Sequence, residues 1–311
     1  MPGIITITFS PCIDKSTSVP LLLPEKKLKC SPVKLEPGGG GINVARAIRK
    51  LGGEATAVYL SGGYTGKFFN KLMQQEGVPS IIIETENETR ENIIVLEESA
   101  NRQYRFGMPG TEVKKEEWQQ CLDVIGKIQN AEFIVASGSL PPGVPLDIFG
   151  RIAVITKKNN AKFVVDTSGQ ALKYAAEQGV YLLKPNLGEL AFLTGREKIN
   201  TEEIESIAKE VIAKGSCEVI AVSMGRLGAV LVTKNKSFRA VPPDVPAKST
   251  VGAGDSMVAG IIFALSKGAR LESAIQYGVA CGTAATLNPG TELCRKEDAD
   301  RIFNLISCAA K

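Results

Sequence analysis

Short β-branched apolar runs alternate with segments of helical periodicity along most of the chain. Residues 3–9 are predicted to form the first strand, and residues 41–53 to form a helix that carries Val44, Ile48 and Leu51 on one face. After residue 130 the alternation resumes with four β-rich runs, each expected to precede a helix: 132–138, 161–169, 180–186 and 217–225. This order predicts an α/β fold with a doubly wound, mostly parallel sheet flanked by helices.

Two regions depart from this alternation, because they have the mixed polarity of extended strands with no helix between them. Residues 12–36 and 86–107 are expected to form a small antiparallel β-sheet lid, with 27–37 as one of its strands. Its exposed edge would need a cover, which favours a lid over a ligand or a dimer contact. No repeat or linker divides the chain, so residues 1–311 are expected to be a single domain.

The composition narrows the chemistry. There are 37 basic and 33 acidic residues, a net charge of +4 that is too even to indicate a nucleic acid or an acidic membrane as partner. The absence of histidine excludes histidine-dependent triads, imidazole bases, and zinc or haem sites with a histidine ligand. Seven scattered cysteines and the lack of any signal peptide or ~20-residue apolar span indicate reduced thiols and a cytoplasmic location.

The strongest candidate site lies at 249–268. Gly252, Ala253 and Gly254 are small enough for their backbone amides to approach an anion, and the helix predicted to start there points its positive dipole end at it. Asp255 could accept a proton from an attacking hydroxyl while the amides hold a transferred phosphoryl group. Taken alone, a motif of this kind more commonly holds an aspartate that caps the helix.

Four consecutive glycines at 38–41 indicate that a ligand approaches the backbone closely. They do not fit the dinucleotide fingerprint, because Asn43 and Val44 occupy the places of its third glycine, and this disfavours an NAD site. Asn43 could bind a sugar hydroxyl or cap a helix.

Two further segments are weaker candidates. Asn186 and Glu189 would share a helix face and could hold hydrated Mg²⁺ near nucleotide phosphates, or they could simply cap the helix. Gly225 and Gly228 would admit a flat ring or a ribose against a strand–turn–strand, or belong to an ordinary hairpin.

Charged and polar residues in the lid regions and after strands complete the set of candidates. Lys27, Arg90 and Arg105 could bind a substrate phosphate, although a single such residue is more commonly a solvated surface charge. Asp14 could receive two sugar hydroxyls or serve as a turn residue, and Ser139 lies on a tight turn after a predicted strand.

Four motifs in order along the chain carry a family resemblance: GGGGINVARA at 38–47, SGSLPPG at 137–143, KPNLGEL at 184–190 and STVGAGDSM at 249–257. Together they resemble the ribokinase (PfkB) family of carbohydrate kinases over nearly the whole chain. The segments at 24–30, 104–110 and 286–294 are similar to the minor, ribokinase-type branch with 6-phosphofructokinase activity. Its relatives that act on fructose 1-phosphate or tagatose 6-phosphate usually carry lysine at the position of Gly40.

The resemblance implies ATP-dependent phosphorylation of fructose 6-phosphate at its C1 hydroxyl. Asp255 would be the base, and Gly252, Ala253 and Gly254 the anion hole. The matching sugar-phosphate positions are Asp14, Lys27, Gly39, Asn43, Arg90, Arg105 and Ser139. Those for ATP are Lys184, Asn186, Ser223, Gly225 and Gly228, with Glu189 serving Mg²⁺ through water.

A monovalent-cation site, for K⁺, would match Ser249, Val251, Ala285, Asn288 and Gly290. The resemblance also implies a homodimer formed through the lid. Tagatose-6-phosphate kinase and 1-phosphofructokinase activities are the alternatives within the family. A non-catalytic sensor of sugar phosphates or nucleotides is the alternative from a different class.

Overall fold

The computed structural model describes residues 3–309, and side chains to residue 308. A main sheet of nine strands comprises β1 (Gly3–Thr8), β4 (Thr56–Gly62), β5 (Ser80–Thr85), β8 (Ala131–Ser137), β9 (Lys162–Asp166), β10 (Val180–Leu183), β11 (Cys217–Ser223), β12 (Ala229–Thr233) and β13 (Ser237–Ala240). Its spatial order is β13-β12-β11-β10-β9-β8-β1-β4-β5. All neighbours are parallel except β12 and β13, which are joined antiparallel at one edge. The expectation of a mostly parallel sheet is confirmed.

Ten helices are described: α1 (Gly40–Lys50), α2 (Gly63–Gln75), α3 (Lys115–Lys127), α4 (Ile148–Lys158), α5 (Gly169–Gln178), α6 (Leu187–Thr194), α7 (Ile204–Ala213), α8 (Ala253–Ser266), α9 (Leu271–Thr286) and α10 (Lys296–Ala309). One hydrophobic core lies between the sheet and α1, α2, α8, α9 and α10, and the other between the sheet and α3–α7. Helices therefore cover both faces, as the alternation predicts.

Adjacent residues of a central strand enter opposite cores. On β8, Phe133 and Val135 pack into the first core, and Ile134 and Ala136 into the second. Side chains alternate between the faces of a strand, so a strand covered on both faces is apolar at every position. This explains why the buried strands are continuous β-rich runs. One detail differs from the prediction: β11 leads into an antiparallel hairpin with β12 rather than into a helix.

A second, small sheet contains β2 (Cys12–Val19), β3 (Lys34–Gly38), β6 (Arg90–Glu97) and β7 (Arg102–Phe106), in the order β3-β2-β6-β7. The expected purely antiparallel arrangement is wrong for its central pair, because β2 and β6 are parallel. β2 follows shortly after β1 of the main sheet, and β6 follows shortly after β5. Because β1 and β5 run in the same direction, β2 and β6 leave the main sheet side by side in the same direction.

The long predicted strand at 27–37 is also wrong in extent. Only Lys34–Gly38 pairs with β2, and residues 20–33 form a loop beside the small sheet. Pro32 cannot donate a hydrogen bond to a sheet ladder, which explains why pairing starts after it. Within residues 3–309, no helix is both long enough and apolar enough to span a membrane.

Candidate active site

The carboxyl ends of the parallel strands meet at one edge of the main sheet, where ligands bind in open α/β sheets. Asp255 lies there, half-buried in the first turn of α8. Asn43 on α1 donates from Nδ2 to Asp255 Oδ2 at 2.9 Å. The structure therefore joins the two strongest motifs of the sequence across 212 positions of chain.

Desolvation raises the pKa of the Asp255 carboxyl to about 6, and the negative charge of Asp166 adds to that rise. The hydrogen bonds from Asn43 and Ser137 and the positive charge of Lys184 act in the opposite direction. A carboxyl with this pKa is mostly ionised at neutral pH. It is also a stronger base than an ordinary aspartate, so it suits the removal of a proton from a hydroxyl.

The start of α8 forms a pocket of free backbone amides. Gly252 adopts a left-handed conformation with φ 73°, and the helix begins at Ala253. The first amides of a helix have no acceptor within it and carry its positive dipole end. A Cβ added to Gly254 would lie 3.8 Å from Lys184 Nζ, which places an ammonium beside these amides. Amides and ammonium together can hold an anion.

Lys184 is buried and forms an ion pair with Asp166, with 3.1 Å between Nζ and Oδ1. Burial alone would lower the pKa of Lys184, but the adjacent Asp166 raises it. Ser137 Oγ lies 3.4 Å from Asp166 Oδ2 and 3.5 Å from Asp255 Oδ1. Sequence reasoning missed both Asp166 and Ser137. Each is the last residue of a parallel strand, β9 and β8, and that position was the available signal.

The predicted sugar residues converge on Asp14, which is buried and whose pKa is raised by desolvation. Its Oδ1 accepts hydrogen bonds from Asn92 Nδ2 at 3.0 Å and from Cys12 Sγ at 3.3 Å. The Oδ1 of Asn92 in turn accepts from Arg90 Nη1 at 3.3 Å. Asn92, which sequence reasoning also missed, therefore links Asp14, predicted to accept sugar hydroxyls, to Arg90, predicted to bind the substrate phosphate.

Several buried polar atoms have no hydrogen-bond partner among the described residues, and two of them belong to predicted sugar-binding residues: Asn43 Oδ1 and Arg90 Nε. Buried polar atoms are rarely left unpaired, so a ligand at this site is one explanation for them. Asn43 Oδ1 would accept from a hydroxyl, and Arg90 Nε would donate to an anionic oxygen. Both chemistries occur in a sugar phosphate.

Three further predicted sugar residues are placed differently. Arg105 is exposed and donates from Nη2 to Thr250 Oγ1 at 2.9 Å, so it contacts the segment before the anion pocket. Lys27 lies exposed in the 20–33 loop, and Ser139 is exposed after β8. Among the described residues, neither Lys27 nor Ser139 has a hydrogen-bond or ion-pair partner.

The glycine run is explained in part by packing within the protein. Gly39 precedes α1 with φ 114°, a conformation that favours glycine. A Cβ on Gly40 would lie 2.3 Å from Ser137 Oγ and 2.6 Å from the Gly138 amide nitrogen. The run therefore presses against the end of β8, and ligand approach alone does not account for it.

On the nucleotide side, Asn186 and Glu189 form a capping box at the start of α6. Asn186 Oδ1 accepts from the Glu189 amide, and Glu189 Oε2 accepts from the Asn186 amide, both at 2.9 Å. The capping alternative is thus what these contacts show, and Oε1 of Glu189 stays available to a hydrated cation. Ser223 forms an isolated parallel β-bridge with Asn186. Gly225 and Gly228 lie at the two ends of a short 3₁₀ turn, with φ 60° and 84°.

The predicted monovalent-cation residues lie together. Ser249 Oγ donates to the Gly290 carbonyl at 2.8 Å, and the Val251 amide donates to Ser249 Oγ at 3.2 Å. The Asn288 amide donates to the Ala285 carbonyl at 3.2 Å, within the same turn. Neutral carbonyl and hydroxyl oxygens suit a monovalent cation. The described side chains contain no group of three or more acidic or cysteine residues able to hold a metal ion.

Comparison with known proteins agrees with these observations. A family model described as pfkB family carbohydrate kinase matches residues 3–298. The ATP-dependent 6-phosphofructokinase isozyme 2 of Escherichia coli is 41% identical over 308 residues, covering 99% of this chain and 100% of that protein. The Mycobacterium tuberculosis protein of the same description is 42% identical over 305 residues, covering 98% and 90%.

The solved structure of the E. coli phosphofructokinase-2 with potassium has a TM-score of 0.95 and 41% identity, covering 99% of this chain and 100% of that one. The same enzyme has also been solved as a tetrameric inhibited form. The 1-phosphofructokinase of Borreliella burgdorferi is a more distant relative, 30% identical over 301 residues, covering 96% of each chain.

This chain belongs to the pfkB family of carbohydrate kinases. It is a sugar-phosphate kinase, and the fold class and family expected from its motifs are confirmed.

Proposed function

We propose that this protein transfers the terminal phosphoryl group of ATP to the C1 hydroxyl of fructose 6-phosphate, giving fructose 1,6-bisphosphate. The observation that carries the proposal is the carboxylate of Asp255, held by Asn43 beside the amides that begin α8. A proton acceptor and an anion pocket within the same helical turn are the two elements that phosphoryl transfer to an alcohol requires. Relatives named for this activity, at 41–42% identity, support it.

The sugar phosphate would bind between the glycine run and the small sheet. Asp14 and Asn43 Oδ1 would accept its hydroxyls, and Gly39 would let the sugar approach the backbone. Arg90 would hold the 6-phosphate, because a guanidinium matches phosphate geometry. Lys27, Arg105 and Ser139 complete the proposed set.

In the reaction, Asp255 takes the proton from the C1 hydroxyl as the oxygen attacks phosphorus. The amides of Gly252, Ala253 and Gly254 stabilise the negative charge that spreads over the transferred group. Lys184 lies beside the pocket and adds positive charge. These preorganised groups do the work without any histidine.

The proposed nucleotide site comprises Lys184, Asn186, Ser223, Gly225 and Gly228. Mg²⁺ usually takes only one or two carboxylates together with substrate phosphates and waters, so Glu189 with its available oxygen fits such an ion. It would neutralise phosphate charge when bound. The oxygens of Ser249, Val251, Ala285, Asn288 and Gly290 would hold K⁺ near the anion pocket.

We also propose that the small sheet is a lid and the contact of a homodimer within a single-domain protein. Leu35, Lys15, Ile93 and Phe106 are paired successively across its four strands and so form one row. Leu35, Ile93 and Phe106 are exposed. Asp14 and Asn92 belong to the opposite, site-facing side by strand alternation. A second copy presenting the same row would cover these apolar side chains.

The test is ATP-dependent turnover of fructose 6-phosphate, tagatose 6-phosphate and fructose 1-phosphate, measured in parallel. We expect fructose 6-phosphate to have the highest kcat/KM and Asp255→Asn to lower kcat by at least ~10²-fold. Asp244→Asn, which removes an equal charge from an exposed loop, is the matched control and should keep the wild-type rate.

A different preferred sugar would leave the kinase assignment intact and reject the substrate. Full activity of Asp255→Asn would reject Asp255 as the base. Binding of ATP and sugar phosphate without turnover by the wild type would favour the sensor alternative.

A further inference from the structure

The hydroxyl of Ser137 lies between the carboxylates of Asp255 and Asp166, of which Asp255 is the proposed base and Asp166 is the ion-pair partner of Lys184. We propose that Ser137 is a positioning residue for Asp255: its single hydroxyl proton points to Asp255 while that carboxylate is ionised and turns to Asp166 once Asp255 is protonated. The proposal rests on the proposed function, since it assigns Asp255 as the base. It adds to that function a residue that prepares the base for proton transfer.

The geometry leaves the hydroxyl two acceptors and one proton. Ser137 Oγ is 3.5 Å from Asp255 Oδ1 and 3.4 Å from Asp166 Oδ2, and the residue is buried. These separations are near the upper limit of a hydrogen bond. Such a hydroxyl can bond well to only one carboxylate at a time. While Asp255 is ionised it is the stronger acceptor, because the charge of Asp166 is already paired with Lys184.

The two carboxylates are otherwise held on opposite sides of Ser137. Asp166 forms an ion pair through Oδ1 with Lys184, and Asp255 accepts from Asn43 through Oδ2. The oxygens nearest Ser137 are thus the ones not used by those partners. The result is one continuous polar chain, Lys184–Asp166–Ser137–Asp255–Asn43, that ends where the sugar is proposed to bind.

The charged and titratable groups around Asp255 come from several elements. Asp166 at the end of β9 and Lys184 after β10 act on it from the nucleotide side. The thiol of Cys12 on β2 lies on the sugar side, beside Asp14. Ser137 is the uncharged donor among them that contacts both Asp255 and Asp166.

The proton count is simple. While Asp255 is ionised, Ser137 donates to its Oδ1 and steadies the charge. When the C1 O–H bond breaks, an O–H bond forms on Asp255, which is then neutral and a weaker acceptor for the Ser137 proton. The Ser137 proton then turns to Asp166 Oδ2, and no proton is gained or lost by the serine.

Gly40 supports this role by limiting where the hydroxyl can sit. A Cβ at that position would lie 2.3 Å from Ser137 Oγ, so a larger residue would displace the oxygen from between the carboxylates. The close contact between Gly40 and Ser137 Oγ is therefore one reason why glycine is needed at position 40.

The test is Ser137→Ala, with Thr167→Val as the matched control. Thr167 also loses a buried hydroxyl next to Asp166, but that hydroxyl bonds only to the Gly138 carbonyl, at 2.9 Å. For Ser137→Ala we expect kcat to fall about tenfold, the cost of one hydrogen bond to a charged group, with KM for both substrates within about twofold. The acid limb of kcat should move from about pH 6 to about pH 7, because a lost donor to the ionised form raises the pKa.

A second readout does not depend on activity. Carbon-13 NMR titration of the aspartate carboxyls, with Asp255 assigned by its absence in Asp255→Asn, should show the same upward move for Ser137→Ala and none for Thr167→Val. An unchanged Asp255 titration in Ser137→Ala would overturn the proposal even if the wild type is fully active. If the wild type turns over none of the sugars, the proposed function fails, and the NMR titration still decides the role of Ser137.

Discussion

The main sheet and the small sheet bury their side chains in opposite ways. Central strands of the main sheet are largely apolar because helices cover both faces, and Ser137 and Asp166 of the candidate site lie at the carboxyl ends of β8 and β9. The small sheet turns Asp14 and Asn92 toward the site and leaves Leu35, Ile93 and Phe106 exposed on its other side. The proposed chemistry therefore lies on the main sheet and its helices, and the proposed recognition and dimer contact lie on the small sheet.

The two regions are joined by a buried ion network, and breaking it should have the largest effect. Arg46 on α1 is 1% exposed and donates to the Pro37 carbonyl at 2.8 Å. It also forms ion pairs with Glu36 at 3.3 Å and with Glu76 at 2.8 Å. Removing one partner of a buried ion pair leaves the other charge buried without a partner. Arg46→Ala should therefore lower the free energy of unfolding by about 3–5 kcal/mol in urea denaturation.

Arg49→Ala is the matched control for that measurement, because Arg49 is exposed on the same helix. It should change stability by less than about 0.5 kcal/mol. Equal effects of the two variants would show that the junction is not held by the buried network.

The exposed side of the small sheet gives the next largest expected effect. Ile93→Glu places a charge in the centre of the apolar row and should weaken self-association by about 2 kcal/mol, roughly 30-fold in the dissociation constant. Sedimentation equilibrium measures this. Leu305→Glu, at an exposed position on α10, should leave association unchanged. Undiminished association of Ile93→Glu would place the contact elsewhere.

A smaller effect is expected in the main sheet and its helices, where burial of the Asp255 carboxylate destabilises the folded state. Burial raises the pKa of Asp255 from 3.8 to about 6, so its protonated form stabilises the fold below about pH 4 and that contribution is lost as pH rises through 6. Asp255→Asn should then exceed the wild type by about 1–2 kcal/mol in free energy of unfolding at pH 8. The difference should nearly vanish at pH 4. Chemical denaturation at both pH values decides, and an equal difference at both would contradict the cause.

The main sheet could be predicted because each strand carries its own local pattern. Boundaries moved by a few residues; the helix expected over residues 41–53, for example, spans Gly40–Lys50. The parallel pairing of β2 with β6 could not be predicted, because it joins segments about 78 residues apart (Asp14 with Asn92) whose local sequence says nothing of direction.

The site divides in the same manner. Asp255, Asn43 and Asp14 stand in recognisable motifs, and the structure brings them to one edge. Asp166 and Ser137 end ordinary strands, so their importance appears only once the sheet order places β8 beside β9. Pairing across the fold, rather than spacing along the chain, makes those two residues part of the site.

The contact between Gly40 and the end of β8 couples the residue type allowed at position 40 to the backbone of residues 137–138. A side chain at position 40 would meet not only Ser137 Oγ but also backbone atoms, the Gly138 nitrogen and the Ser137 carbonyl carbon, both at 2.6 Å. Flexible side chains can yield, whereas backbone cannot without moving the strand. A larger residue at position 40 would therefore be tolerated only together with compensating changes near residues 137–138.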